Sequence, residues 1–116
     1  VNRILTLLSA VLLGAASPAG AYEIEKMSYD PSIKTVYVSL VYEGGEKEHN
    51  FSSAFDECVK DTTPYQQAVR LIDSGWNDTG TTTLHQVVPV DLSTSDCLPA
   101  ELTVFASQSH KTIYVE

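Results

Sequence analysis

Leu71-Ile72-Asp73-Ser74-Gly75 sets an aspartate after two apolar residues and before a hydroxyl and a glycine, and Asn77-Asp78-Thr79 follows with Trp76 between. Two carboxylates a few ångströms apart cannot both ionise, so a pair of them shares one proton. That sharing is what a carboxylate pair needs to act as acid and base on water. The other reactive side chains are dispersed. His49, His85 and His110 fall in three separate stretches with no His-Glu-x-x-His spacing, so no zinc site is expected. His49 alternates with Phe51 and is expected to be a packed or hydrogen-bonded strand histidine instead of a ligand. No Gly-x-Ser-x-Gly elbow presents a nucleophilic serine, and no phosphate-binding glycine loop or cofactor fingerprint is present, so no cofactor is expected.

The segment from Leu71 to Gly75 resembles the active-site signature of the aspartic proteases. In retroviral-type members a chain of about this size dimerises, and the resemblance would make Asp73 the catalytic carboxylate and Ser74 its hydrogen-bonding neighbour. The chain departs from that family in three ways. Trp76 stands where the family carries a small residue. The stretch Lys111 to Val115 has no glycine with which to pack beneath a catalytic loop. Gly44-Gly45, the best candidate for a flap, precedes the aspartate instead of following it. A homodimeric aspartic protease is therefore the alternative reading, and an ordinary strand end with an Asp-Ser-Gly turn is preferred. Asp73, Asn77, Asp78 and Thr79 also offer hard oxygens to calcium, but the spacing is not that of a helix-loop-helix site and no bidentate Glu follows. They are read as solvated turn residues, and no metal is assigned.

The elements that must position these residues are strands. Lys34 to Glu43 alternates most clearly, with Val36, Val38, Leu40 and Tyr42 on one face and Thr35, Tyr37, Ser39 and Val41 on the other. Tyr22 to Tyr29 is its expected partner through the Asp30-Pro31-Ser32 turn, since Pro presets φ and Asp can bond its own backbone. Gly44-Gly45 predicts a hairpin into a strand over 47–53. Residues 56–64 read as a polar loop. Gln66 to Asp73 suits a short helix or a strand, and a strand is preferred. After a Gly, Asn, Asp and Thr loop over 76–83 comes a strand over 84–90, whose Pro89 predicts an edge position or a bend. Strands over 102–106 and 112–115 close a last hairpin through Gln108-Ser109-His110. Seven short strands predict an all-β fold, a seven-stranded antiparallel β-sandwich of immunoglobulin-like type.

The start of the chain predicts export. Arg3 gives a positive start, Ile4 to Ala16 is almost wholly apolar and small, and Pro18-Ala19-Gly20-Ala21 offers a cleavage site before Tyr22. The apolar run is shorter than the roughly twenty residues that span a bilayer, so no membrane anchor is expected after its removal. Residues 1–21 are thus read as a signal peptide and 22–116 as one domain. In an oxidising compartment the isolated pair Cys58 and Cys97 is expected to form one disulfide; a reactive thiol is the competing reading, which Asp56, Glu57 and Asp61 around Cys58 disfavour. The chain carries a net charge of −8. Removal of Arg3 with the leader leaves six basic against fifteen acidic residues, about −9. Such a balance excludes nucleic acid and anionic membranes and suits a cationic protein partner.

Taken whole, the chain resembles a group of small secreted bacterial β-domain proteins with no assigned activity. The likeness runs through His49-x-Phe51, Cys58, Pro64, Leu71-Ile72-Asp73, Asp78, Asp91-Leu92, Cys97, Pro99 and Leu102-Thr103-Val104. It implies an all-β domain with a disulfide from the central loop to the strand before the last hairpin. Members often carry a second cysteine pair with one partner just after the position of Asp78; here that place reads Thr79-Gly80. The resemblance carries no functional residue. The function expected is that of an exported, non-catalytic binding or inhibitor-like protein, periplasmic or secreted. Trp76 is its best contact candidate, with Asp73 and Asp78 beside it, and another protein is the partner.

Overall fold

Alternation sets the frame of the molecule. In β2 (Thr35–Gly44) Val36, Val38, Leu40 and Tyr42 are buried, while Tyr37, Ser39 and Val41 lie half-buried on the opposite face. The computed structural model describes residues 21–116, so the expected leader, Ala21 apart, lies outside the described residues. β1 (Tyr22–Asp30) pairs antiparallel with β2. The turn between them is held as its residue types predict, with the Ser32 amide donating to Asp30 Oδ1 at 3.0 Å. β5 (Thr82–Asp91) flanks the other side of β2, giving a sheet ordered β1-β2-β5. Pro89 therefore lies on an edge strand, as expected of a residue with no N–H to give a ladder.

The second sheet is ordered β3-β4-β6-β7, from β3 (Phe51–Phe55), β4 (Tyr65–Asp73), β6 (Ala100–Ala106) and β7 (Ser109–Val115). Gln66 to Asp73 is thus strand, as preferred. The two sheets bury one cluster between them, in which Val36, Val38, Leu40 and Val90 of the first meet Val69, Leu102 and Val104 of the second. Each such side chain contributes about 1.5–3 kcal/mol on leaving water. Cys58 and Cys97 are bonded, with Cα atoms 5.8 Å apart, and they tie the β3–β4 connection to the β5–β6 connection. The 39-residue separation closes a loop worth about 4 kcal/mol by chain entropy.

Five expectations are corrected. Gly44-Gly45 closes no hairpin: β2 already has β1 and β5 on its two edges, so the chain must cross to the other sheet before β3 begins. β3 accordingly starts at Phe51, and His49 sits on the approach to it instead of within it. The pairing is not wholly antiparallel, because β4 and β6 run parallel. The chain leaves β4, returns through β5 in the opposite sheet and re-enters beside β4 in its original direction. The last hairpin turns at Ser107 and Gln108, with Ser107 at φ 56°, so β7 begins three residues earlier than expected, while β6 is longer because it starts at Ala100. Residues 56–64 are mostly loop, but a bridge from Val59 to Gln66 continues the pairing along β4.

Candidate functional site

The inward positions of β4 run Val69, Leu71, Asp73, and the third of them takes a carboxylate into the interior. Asp73 is 6% exposed, whereas Ile72 on the outer face is 51% exposed. Its oxygens are engaged. Asp73 Oδ2 accepts from the Tyr22 hydroxyl at 2.5 Å and lies 2.5 Å from His49 Nδ1, and Oδ1 accepts from the Gly75 amide at 2.8 Å. The other ring nitrogen, His49 Nε2, lies 2.7 Å from Asp78 Oδ2. The imidazole is thus clasped between two buried carboxylates, with the Tyr42 ring against it at 4.8 Å.

Asp78 organises backbone as well. Its carboxylate accepts from the amides of Gly45, Glu46 and Lys47 at 3.0–3.2 Å and from Gly80 at 2.8 Å. A ring of N–H groups around an oxyanion is an anion nest, and here the anion belongs to the chain itself. Burial pushes the Asp78 carboxyl up, but hydrogen bonds from Gly80, His49, Lys47 and Glu46 outweigh it and hold it well below the usual carboxylate range. Burial pulls the His49 imidazole down, and the hydrogen bonds and charges of Asp73 and Asp78 reverse that, leaving it above its ordinary value. Burial and the bond to Asp73 raise the Tyr22 hydroxyl.

Trp76 stands at the rim of this cluster, 65% exposed. The turn beneath it is fastened on both sides. The Ser74 amide donates to Asn50 O, the Asn50 amide donates to Ser74 Oγ, and the Asp78 amide donates to Gly75 O, each at 3.0 Å. Elsewhere, on the outer face of the second sheet, a groove of about 450 Å³ runs beside the 56–59 segment. Asp56, Glu57, Glu101 and Phe105 help line it, and among the described residues no lysine or arginine does. Asp56 is met by Arg70 at 3.0 Å.

Of the residues singled out in the sequence, Cys58 and Cys97 are bonded and Trp76 is exposed. Asp73 and Asp78 differ from expectation: they are 6% and 3% exposed and serve as the polar interior of a turn, not as solvated residues. His49 is hydrogen-bonded, as expected, but from the approach to β3 and not from within the strand, and its two partners lie 24 and 29 residues away. Among the described residues no three His, Cys, Asp or Glu side chains are placed to hold one metal ion. His49, Asp73 and Asp78 do not converge, because the ring lies between the carboxylates and turns one nitrogen to each. Tyr22 and the amides of Gly45 to Lys47 are members of the cluster that sequence reasoning missed. Parity with Val69 and Leu71 marks Asp73 as inward-facing; nothing local marks Tyr22. No protein-family model, curated protein or solved structure matches this chain.

Proposed function

We propose that this protein is exported to the periplasm or the medium and binds a cationic protein without catalysing a reaction, with Trp76 as its contact anchor. The observation that carries the reading is the 65% exposed indole on a turn fastened from both sides. A large aromatic held in one place loses little freedom when a partner covers it, and tryptophan is among the residues on which binding energy concentrates. The acidic balance of the chain favours a cationic partner. The disulfide is compatible with an oxidising compartment. The engagement of Asp73 favours a binder over the aspartic-protease alternative, since a hydroxyl, an imidazole and an amide already occupy its oxygens. The same engagement makes Asp73 and Asp78 supports of the binding face instead of contacts.

The test is a pull-down from envelope extract with the native protein and with Trp76→Ala, beside a casein digestion. Loss of the captured basic protein in the variant, with no cleavage by either form, is the expected result. Equal capture by both forms removes the tryptophan from the reading. Pepstatin-sensitive cleavage that disappears in Asp73→Asn overturns the non-catalytic reading.

A further inference from the structure

We infer that a single proton on His49 gates the Trp76 end of the sandwich: the doubly protonated ring clamps the turn, and its loss at alkaline pH releases the turn. The gate would regulate the binding face proposed above, and its functional meaning rests on that reading, but the clamp follows from geometry.

A neutral imidazole has one N–H and one lone pair. Here both ring nitrogens face carboxylate oxygens, at 2.5 and 2.7 Å, in a site where the ring and both carboxylates are no more than 5% exposed. With one proton, one of these contacts sets a lone pair against an oxyanion. With two, both become charge-assisted donor bonds, the strong kind. A carboxyl proton is the other way to fill the gap, and the surroundings disfavour it. Every other hydrogen bond to Asp78 comes from a backbone N–H, and those to Asp73 come from the Tyr22 hydroxyl and the Gly75 amide. The backbone amides can only donate, so the Asp78 oxygens and Asp73 Oδ1 must accept; the Tyr22 hydroxyl alone can act either way.

The groups facing the ring are few. β1 supplies Tyr22, β2 supplies Tyr42, whose hydroxyl is turned to Gln86, and β4 supplies Asp73; Asp78 comes from the connection to β5, and the Phe51 ring of β3 packs against Tyr22 and Tyr42. Among the described ion pairs neither carboxylate meets a lysine or arginine. His49 therefore supplies the positive side chain of the cluster. Its deprotonation leaves two buried anions about one neutral ring.

The consequence reaches Trp76 because two segments hang from the same carboxylates. Asp78 holds the amides of Gly45, Glu46 and Lys47, which lead into His49 and Asn50. Asn50 and Ser74 then bond reciprocally beside Trp76, and Asp73 caps Gly75. Loosening the clamp loosens both the crossover and the turn.

The experiment needs no partner, so it separates the clamp from the binding reading. Long-range ¹H–¹⁵N spectra of the ¹⁵N-labelled protein report the protonation of each ring nitrogen, and amide exchange reports the crossover. At about pH 6 both His49 nitrogens are expected to be protonated. As the ring titrates, the protection of the Glu46 and Lys47 amides, corrected for intrinsic base catalysis, should fall about tenfold for each unit by which the folded-state value exceeds the unfolded one. In His49→Gln the fall should vanish. A neutral single tautomer near pH 6, or protection that does not follow the titration, overturns the inference. Should His49→Gln not fold, the native protein's own spectra and exchange decide between these outcomes.

Discussion

Asp73 follows Val69 and Leu71 at the inward positions of β4, so a carboxylate enters the core by the same alternation that carries the apolar residues there. Three residues later Trp76 leaves the surface. The two side chains should therefore fail in opposite ways. Asp73→Ala strips His49 and Tyr22 of a shared acceptor and orphans the Gly75 amide. Breaking a buried pair costs about 3 kcal/mol, at the lower end of the usual range because His49 can shed its proton. Trp76→Ala touches a side chain 65% exposed and should shift stability by less than about 0.5 kcal/mol. Urea midpoints of the two variants check this, and a large loss from Trp76→Ala would mean that the indole packs against the fold. The sequence reads Asp73 as a solvated turn residue, although it shares the spacing of the inward-facing Val69 and Leu71. Its partners were not legible either: Tyr22, His49 and Asp78 meet through tertiary structure, and no local pattern joins them.

Among the elements, the crossover from β2 to β3 is the least ordinary. Two glycines flank it in space: Gly45 takes a positive φ of 113°, and Gly80 packs so closely that a Cβ would fall 2.3 Å from Gly44 O. The second contact is backbone on backbone, which cannot be relieved by turning a side chain. Gly80→Ala should cost about 2 kcal/mol, the scale of an overpacked interior site, and should loosen the Asp78 nest that accepts the Gly80 amide. A thermal denaturation of that variant indistinguishable from the native curve would show that the crossover yields. This element also marks how far period-two reading reaches. Alternation located β2, because a half-buried strand imposes it on every residue, whereas residues 66–73 suited a short helix as well as a strand. It could not tell that Gly44-Gly45 leads across the sandwich instead of back along β2, because that choice depends on β5, forty residues on, taking the second edge. The parallel pairing of β4 with β6 was hidden for the same reason.

For the whole molecule, the charged interior predicts how stability follows pH. Asp78, Asp30 and Asp91 are held below their ordinary value of 3.8, the first chiefly by amide donors acting against burial, the other two chiefly by bonds from Ser32 and Ser93. A lowered carboxyl contributes stability that is present above the unfolded value and is lost as pH falls through the folded one. His49 is raised above 6.5, so its contribution is complete below that pH and drains away as pH climbs through the folded value. Tyr22 and Tyr42, also raised, act in the same direction further into the alkaline range. The two limbs leave a maximum between about pH 4 and pH 6.5, towards the acid end of the range in which maxima usually fall. The negative balance of the chain deepens the alkaline limb, because each proton lost adds to self-repulsion. Urea midpoints should therefore peak below about pH 6.5 and decline above it, and His49→Gln should flatten the part of the decline that begins at about pH 6.5 while lowering the peak. A native profile level from pH 5 to pH 9 would mean that the folded chain binds no more protons than the unfolded one in that interval, and His49 would then have to be neutral between its two carboxylates.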